Sequence, residues 1–111
     1  MKHIAIYQIK IDENNNETLC RAFASLSTLK RMNKTFNPNF YTKVFEGDMD
    51  VENVEDVYIK LQGTKPQGYK GHSLSVSDLV QMDGKLFFCD SYGFVDKTNV
   101  WKLYTFRHKI N

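Results

Sequence analysis

The sequence predicts a small α+β domain with a mostly antiparallel sheet and about two short helices, and three observations carry that expectation. Runs of β-branched and aromatic residues alternate at a period of two near residues 3–11, 40–45 and 76–89. Two other stretches repeat their apolar residues every three or four positions, as helices do. Asp83-Gly84 lies between two apolar runs and is the pair that a two-residue hairpin turn favours. With 111 residues, 41% of them hydrophobic and 14% aromatic, the chain can build one core, so a single domain over residues 1–111 is expected. A formal net charge of +2 is too small to hold it open by repulsion.

The opening segment His3 to Ile11 carries two overlapping alternations, Ile4/Ile6 and Tyr7/Ile9/Ile11, and is expected to be a strand. Asp12-Glu13-Asn14-Asn15-Asn16 reads as a polar turn, after which Glu17 to Phe23 is expected to return as the second strand of a hairpin. From Ser25 the spacing changes. Ala22, Leu26, Leu29 and Met32 recur at helical intervals, so a short helix capped by Ser25 should end near Asn33. Asn37-Pro38-Asn39 breaks it, and Phe40 to Phe45 follows as a strand bounded by Gly47. Val51, Val54, Val57, Tyr58 and Leu61 form one helical stripe that Asp50 would cap and Gly63 would end. Pro66, Gly68 and Gly71 make the next stretch a loop. Val76 to Met82 and Leu86 to Cys89 flank Asp83-Gly84 as a hairpin, Ser91 to Phe94 turns the chain, and Val100 to Phe106 is expected to be a last strand.

Charge is segregated. Six acids and no base lie between positions 46 and 56, namely Glu46, Asp48, Asp50, Glu52, Glu55 and Asp56. Arg21 to Lys43 holds five bases and no acid, and Lys97 to Lys109 holds four bases and His108 without an acid. Such runs are solvated faces or partner-binding faces. No stretch approaches the roughly 20 apolar residues of a membrane span, and Met1-Lys2-His3-Ile4 does not open a signal peptide, so a cytoplasmic protein without membrane contact is expected. Cys20 and Cys89 are too few for a disulfide framework or a zinc quartet and should be reduced packing residues.

His72-Ser73-Leu74-Ser75-Val76-Ser77-Asp78 contains every residue type of a hydrolase triad. Seven contiguous residues do not readily fold back into nucleophile, base and orienting acid, and no Gly-x-Ser-x-Gly elbow is present. The box fits a structural role better, with Val76 and Leu79 buried against Phe88 and Phe94 and with Asp78 or a neighbouring serine bonded to backbone. Neither catalytic residues nor an enzymatic activity are therefore expected. His3, His72 and His108 are isolated and no nucleotide signature exists, so neither a metal nor a cofactor is expected. Trp101 to Lys109 interleaves bases with aromatics, which suits a nucleic-acid surface locally but fits better an edge strand whose aromatics are core and whose Lys and Arg guard the edge.

Gly71-His72-Ser73-Leu74-Ser75-Val76-Ser77-Asp78, then Asp83-Gly84-Lys85, then Asp90-Ser91-Tyr92-Gly93-Phe94 resemble the YodL-like domain, with Tyr92 where that family usually has Phe. The Tyr7-Gln8-Ile9-Lys10 strand, the Phe40 to Phe45 strand and the Asp56-Val57-Tyr58 helical step extend the likeness over roughly residues 4–95, leaving 96–111 as a terminal strand extension. The resemblance implies the company of phage, plasmid and conjugative-element proteins and brings no established catalytic residues. In that company small proteins are often accessory factors, among them inhibitors of host defence such as anti-CRISPR proteins.

The expectation is thus a non-enzymatic mobile-element protein that binds a host protein or ribonucleoprotein through the acidic segment Glu46 to Asp56. The alternative is a small nucleic-acid-binding module using Arg21 to Lys43 and Lys97 to Lys109. An aromatic-rich terminal strand also admits a homodimer. Gly93 is expected to sit where a side chain would clash or where φ is positive.

Overall fold

One strand with neighbours on both sides organises the chain, and the rest of the sheet is laid down from it. In the computed structural model, which describes residues 1–108, β1 (Lys2–Ile9) pairs antiparallel with β2 (Tyr41–Met49) on one edge and with β3 (Leu79–Met82) on the other. β4 (Lys85–Asp90) and β5 (Gly93–Asp96) continue the sheet as a meander, giving the order β2-β1-β3-β4-β5. Asp83 and Gly84 form the β3–β4 turn at φ 54° and 75°, the left-handed pair that the dipeptide announced. Between Ile6 and Tyr7 the β1–β2 register slips by one residue, and this bulge lets both Val44 and Phe45 be buried in succession.

Among the described residues four α-helices dress the sheet. They are α1 (Asn16–Arg21), α2 (Leu26–Arg31), α3 (Val54–Lys60) and α4 (Thr98–His108). On one face Ile4, Ile6, Phe45, Val80 and Met82 pack under Val54 and Val57 of α3, with Leu61 and Leu74 from the loop that follows. On the other, Leu79, Leu86 and Phe88 meet Trp101 of α4, with Leu26, Phe36 and Tyr41 at the border. The α+β expectation holds, with two more helices than foreseen.

Two strand expectations are corrected. Residues 17–23 do not return as a hairpin partner, because both edges of β1 are occupied by β2 and β3. Instead Asn15 accepts the Glu17 N–H at 3.0 Å, Glu17 pairs with Arg21 one turn on at 2.9 Å, and α1 results. Likewise 100–106 is helix, since the place beside β4 is filled by β5. Asp96 accepts the Thr98 N–H at 2.8 Å, and Trp101 and Tyr104, three apart, face the core together. Lys109 lies outside the described residues.

Boundaries moved elsewhere for local reasons. Ser25 caps α2 as expected, its Oγ accepting the Thr28 N–H at 3.2 Å. α3 is capped by Asn53, which accepts the Asp56 N–H at 2.9 Å, whereas Asp50 stays exposed outside it. β2 runs through Gly47 to Met49 because β1 offers partners as far as Lys2. β3 begins at Leu79, three residues later than the hydrophobic pattern, because Ser75 to Asp78 forms a turn. Cys20 and Cys89 are free thiols, and no helix among the described residues is long and apolar enough to cross a membrane.

Candidate functional site

The sequence between Gly71 and Asp78 folds around a residue from the opposite end of the chain, Gln8 of β1. Its side-chain amide lies almost fully buried and behaves like a stretch of strand backbone: Nε2 donates to the His72 carbonyl at 2.9 Å while Oε1 accepts the His72 N–H at 3.2 Å. Nε2 also donates to Asp78 Oδ2 at 3.0 Å. Gly71 is required by this approach, since a Cβ there would stand 2.0 Å from Gln8 Oε1. Tyr69 donates its hydroxyl to the same His72 carbonyl at 2.8 Å.

Asp78 closes the arrangement. Its Oδ2 accepts the Ser75 N–H at 2.8 Å, and burial pushes its carboxyl up to about 7 against the opposing pull of the Ser75 and Gln8 donors. Its carbonyl accepts the Cys89 N–H while Cys89 receives the Ser77 N–H, so the β3–β4 ladder reaches into the box. Burial also raises the Tyr69 hydroxyl to about 12 and the Cys89 thiol to about 11. Ser77, buried at φ 84°, accepts the Phe23 N–H through Oγ at 3.0 Å and the Tyr41 hydroxyl through its carbonyl.

The triad residue types are therefore brought close without being aligned. Ser75 Oγ donates to the Ser73 carbonyl at 2.9 Å, Ser73 Oγ accepts from Lys65 at 3.1 Å, and Ser77 Oγ is held by Phe23. His72 Nδ1 is 2.7 Å from the Ser73 carbonyl and 3.9 Å from Asp78. Among the described residues no serine hydroxyl bonds to His72, so nucleophile and base are not paired. The hydrogen bonds of the box instead close the loop on itself and tie it to the sheet through Gln8 and Cys89. The second box ties a helix to the sheet: Asp90 Oδ1 accepts the Leu26 N–H at 3.1 Å and so fixes the start of α2, and Gly93 has φ 100°, the second of its two expected reasons. Leu79 and Phe88 are fully buried, whereas Val76 and Phe94 are only half covered, beside exposed Ser91 and a fully exposed Tyr92.

Reading the sequence alone missed Gln8, Tyr69 and Tyr41. One signal existed for Gln8, an amide interrupting the apolar run Ile4 to Ile9.

A family model for the YodL-like domain matches residues 3–99. The chain belongs to the YodL-like domain family. No curated protein and no solved structure matches it. In this YodL-like domain the two sequence boxes meet at β4: Ser77 and Asp78 of the first bond through backbone to Cys89, and Asp90 of the second is the last residue of the strand.

The charged segments of the YodL-like domain divide differently from their order in sequence. Glu46 and Asp48 project from β2 toward His3, whose Nε2 and Nδ1 stand 2.8 and 3.0 Å from them, and Lys43 also pairs with Glu46 at 2.6 Å. His3 and Lys43 hold the Glu46 carboxyl down at about 2, and the Glu46 and Asp48 bonds raise the His3 imidazole. Asp50, Glu52, Glu55 and Asp56 gather instead around the start of α3, and none has a salt bridge to another described residue. Among the bases, Arg21 is buried, bonded to Glu17 and to the Thr35 carbonyl at 2.8 Å and lying 4.8 Å over the Phe40 ring. Lys34 also pairs with Glu17.

Proposed function

We propose that this YodL-like domain is a non-enzymatic binding protein whose working surface is the acidic start of α3, and that its partner is a basic protein surface in the host cytoplasm. The observation that carries this is the division of the acids. Glu46 and Asp48 are paired with His3 and Lys43, whereas Asp50, Glu52 and Glu55 are exposed and make no salt bridge to another described residue. Carboxylates held on a short helix present negative charge to a surface shaped for phosphates, and they steer such a partner in. In the company of phages and conjugative elements, the basic surface that fits is the nucleic-acid groove of a defence nuclease, which makes the domain anti-CRISPR-like.

The test is plasmid transformation into host cells carrying an active CRISPR nuclease, with and without the domain. The wild type should restore transformation, and E52K/E55K/D56K should abolish that restoration. A folded triple variant with full potency would contradict the acidic surface as the contact.

A second reading has one observation in its favour. α4 carries the exposed bases Lys102 and Arg107, and Lys97 precedes it, a run of bases along one helix as in small nucleic-acid-binding modules. It predicts DNA or RNA binding whose log affinity falls linearly with log salt, and no binding at low salt would remove it. The other basic segment gives less support, because Arg21, Lys34 and Lys43 are committed to internal pairs.

A further inference from the structure

An apolar groove of about 330 Å³ opens between α3 and the β4–β5 turn. Tyr58, Ile59, Val76 and Phe94 line it together with two acids, Glu55 and Asp90, the latter with Oδ1 held by the Leu26 N–H. Ile59 is 68% exposed and Tyr92, beside the groove, is fully so. On the opposite face of the sheet, α4 turns Trp101 inward but leaves Val100, Leu103 and Phe106 in solvent, the last two at 60% and 70% exposure. These three recur at every third position, so they form one stripe, and Lys102 and Arg107 flank it. A helix apolar on both faces is normally covered on both.

We propose that the groove of one copy receives α4 of a second copy. The two surfaces match in kind, apolar against apolar, and in charge, with two acids against basic flanks. Because they lie on opposite faces of one sheet, the contact is heterologous: each copy keeps a free groove and a free helix, and association runs on to a ring or a chain. The apolar stripe is three residues long, so the association is weak and concentration-dependent. The groove shares Glu55 with the proposed acidic surface, so this contact is tested at Ile59 and Leu103, which leave those acids in place.

Sedimentation or light scattering on the full chain tests it, using Ile59→Glu and Leu103→Glu, both at exposed positions and both checked for fold by circular dichroism. The wild-type mass should rise above 13.0 kDa as concentration increases, and each variant alone should stay monomeric. Mixed in equal amounts, the two variants should form a pair of twice the chain mass and stop there, since one intact groove meets one intact helix and the altered surfaces repel. A wild type that stays monomeric up to about 1 mM would overturn the proposal. So would an Ile59→Glu variant that associates like the wild type, or variants that fail to pair on mixing, the result an α4-to-α4 dimer would give.

Discussion

Asp78→Asn separates a buried structural carboxyl from a functional one, because its effect must change with pH in a known direction. Burial raises the Asp78 carboxyl from an ordinary 3.8 to about 7, so the folded chain holds that proton more tightly than the unfolded chain does. The stability contributed by the protonated form is complete below pH 3.8 and is lost as pH rises through about 7. Three units at about 1.36 kcal/mol each give a loss of order 4 kcal/mol over that window, a large part of the 5–15 kcal/mol that holds a typical domain together. The titratable groups facing Asp78 are His72 at 3.9 Å and the raised hydroxyls and thiol of Tyr41, Tyr69 and Cys89. His3, held up by Glu46 and Asp48, loses its contribution in the same direction. The assay is therefore a difference: urea unfolding of wild type and Asp78→Asn from pH 5 to pH 8, followed by Trp101 fluorescence, with His72→Gln in both backgrounds. An asparagine accepts the Ser75 and Gln8 donors without ionising, so its stability relative to wild type should climb by about 2–3 kcal/mol between pH 5 and pH 7 and then level off. A difference that stays constant with pH would refute a buried, proton-holding Asp78.

Three further outcomes follow from the packing. Gly71→Ala should cost about 1–3 kcal/mol or more by forcing the Gln8 amide away, and Gln8→Ala in the same chain should recover part of the strain term; additive losses in urea unfolding would count against the contact. Asn53→Ala should lose about 1 kcal/mol and Asp50→Ala less than about 0.5 kcal/mol, and the reverse order would return the α3 cap to Asp50. Phe88→Ala, emptying a fully buried ring site between the sheet and α4, should cost about 3–5 kcal/mol by chemical denaturation; a loss under about 1 kcal/mol would contradict its burial.

What the sequence made legible was whatever local chemistry decides. Asp83-Gly84 demanded its turn, Ser25 its helix start, and Gly93 a backbone position suited to glycine, each from a few neighbouring residues. Residues 100–106 were not legible, because apolar residues at nearly every second position satisfy a strand as well as a helix; what decided the matter was β5 occupying the place beside β4. Residues 17–23 failed for the same reason at β1. In the box, Asp78 bonding to the Ser75 N–H was foreseeable from three-residue spacing, whereas Gln8 is 70 positions from Asp78 and no local pattern joins them. The acidic run looked continuous in sequence, but strand geometry turned Glu46 and Asp48 toward His3 while the loop carried Asp50 to Asp56 to α3.

The boxes build the fold, and the acidic start of α3 is the proposed contact. Transformation under an active CRISPR nuclease, with His72→Ala and E52K/E55K/D56K compared at matched levels of folded protein, tests both halves together. His72→Ala should protect the incoming plasmid as well as wild type does, and the triple variant should give no protection. Protection lost with His72→Ala and kept by the triple variant would place the function in the box and contradict the account.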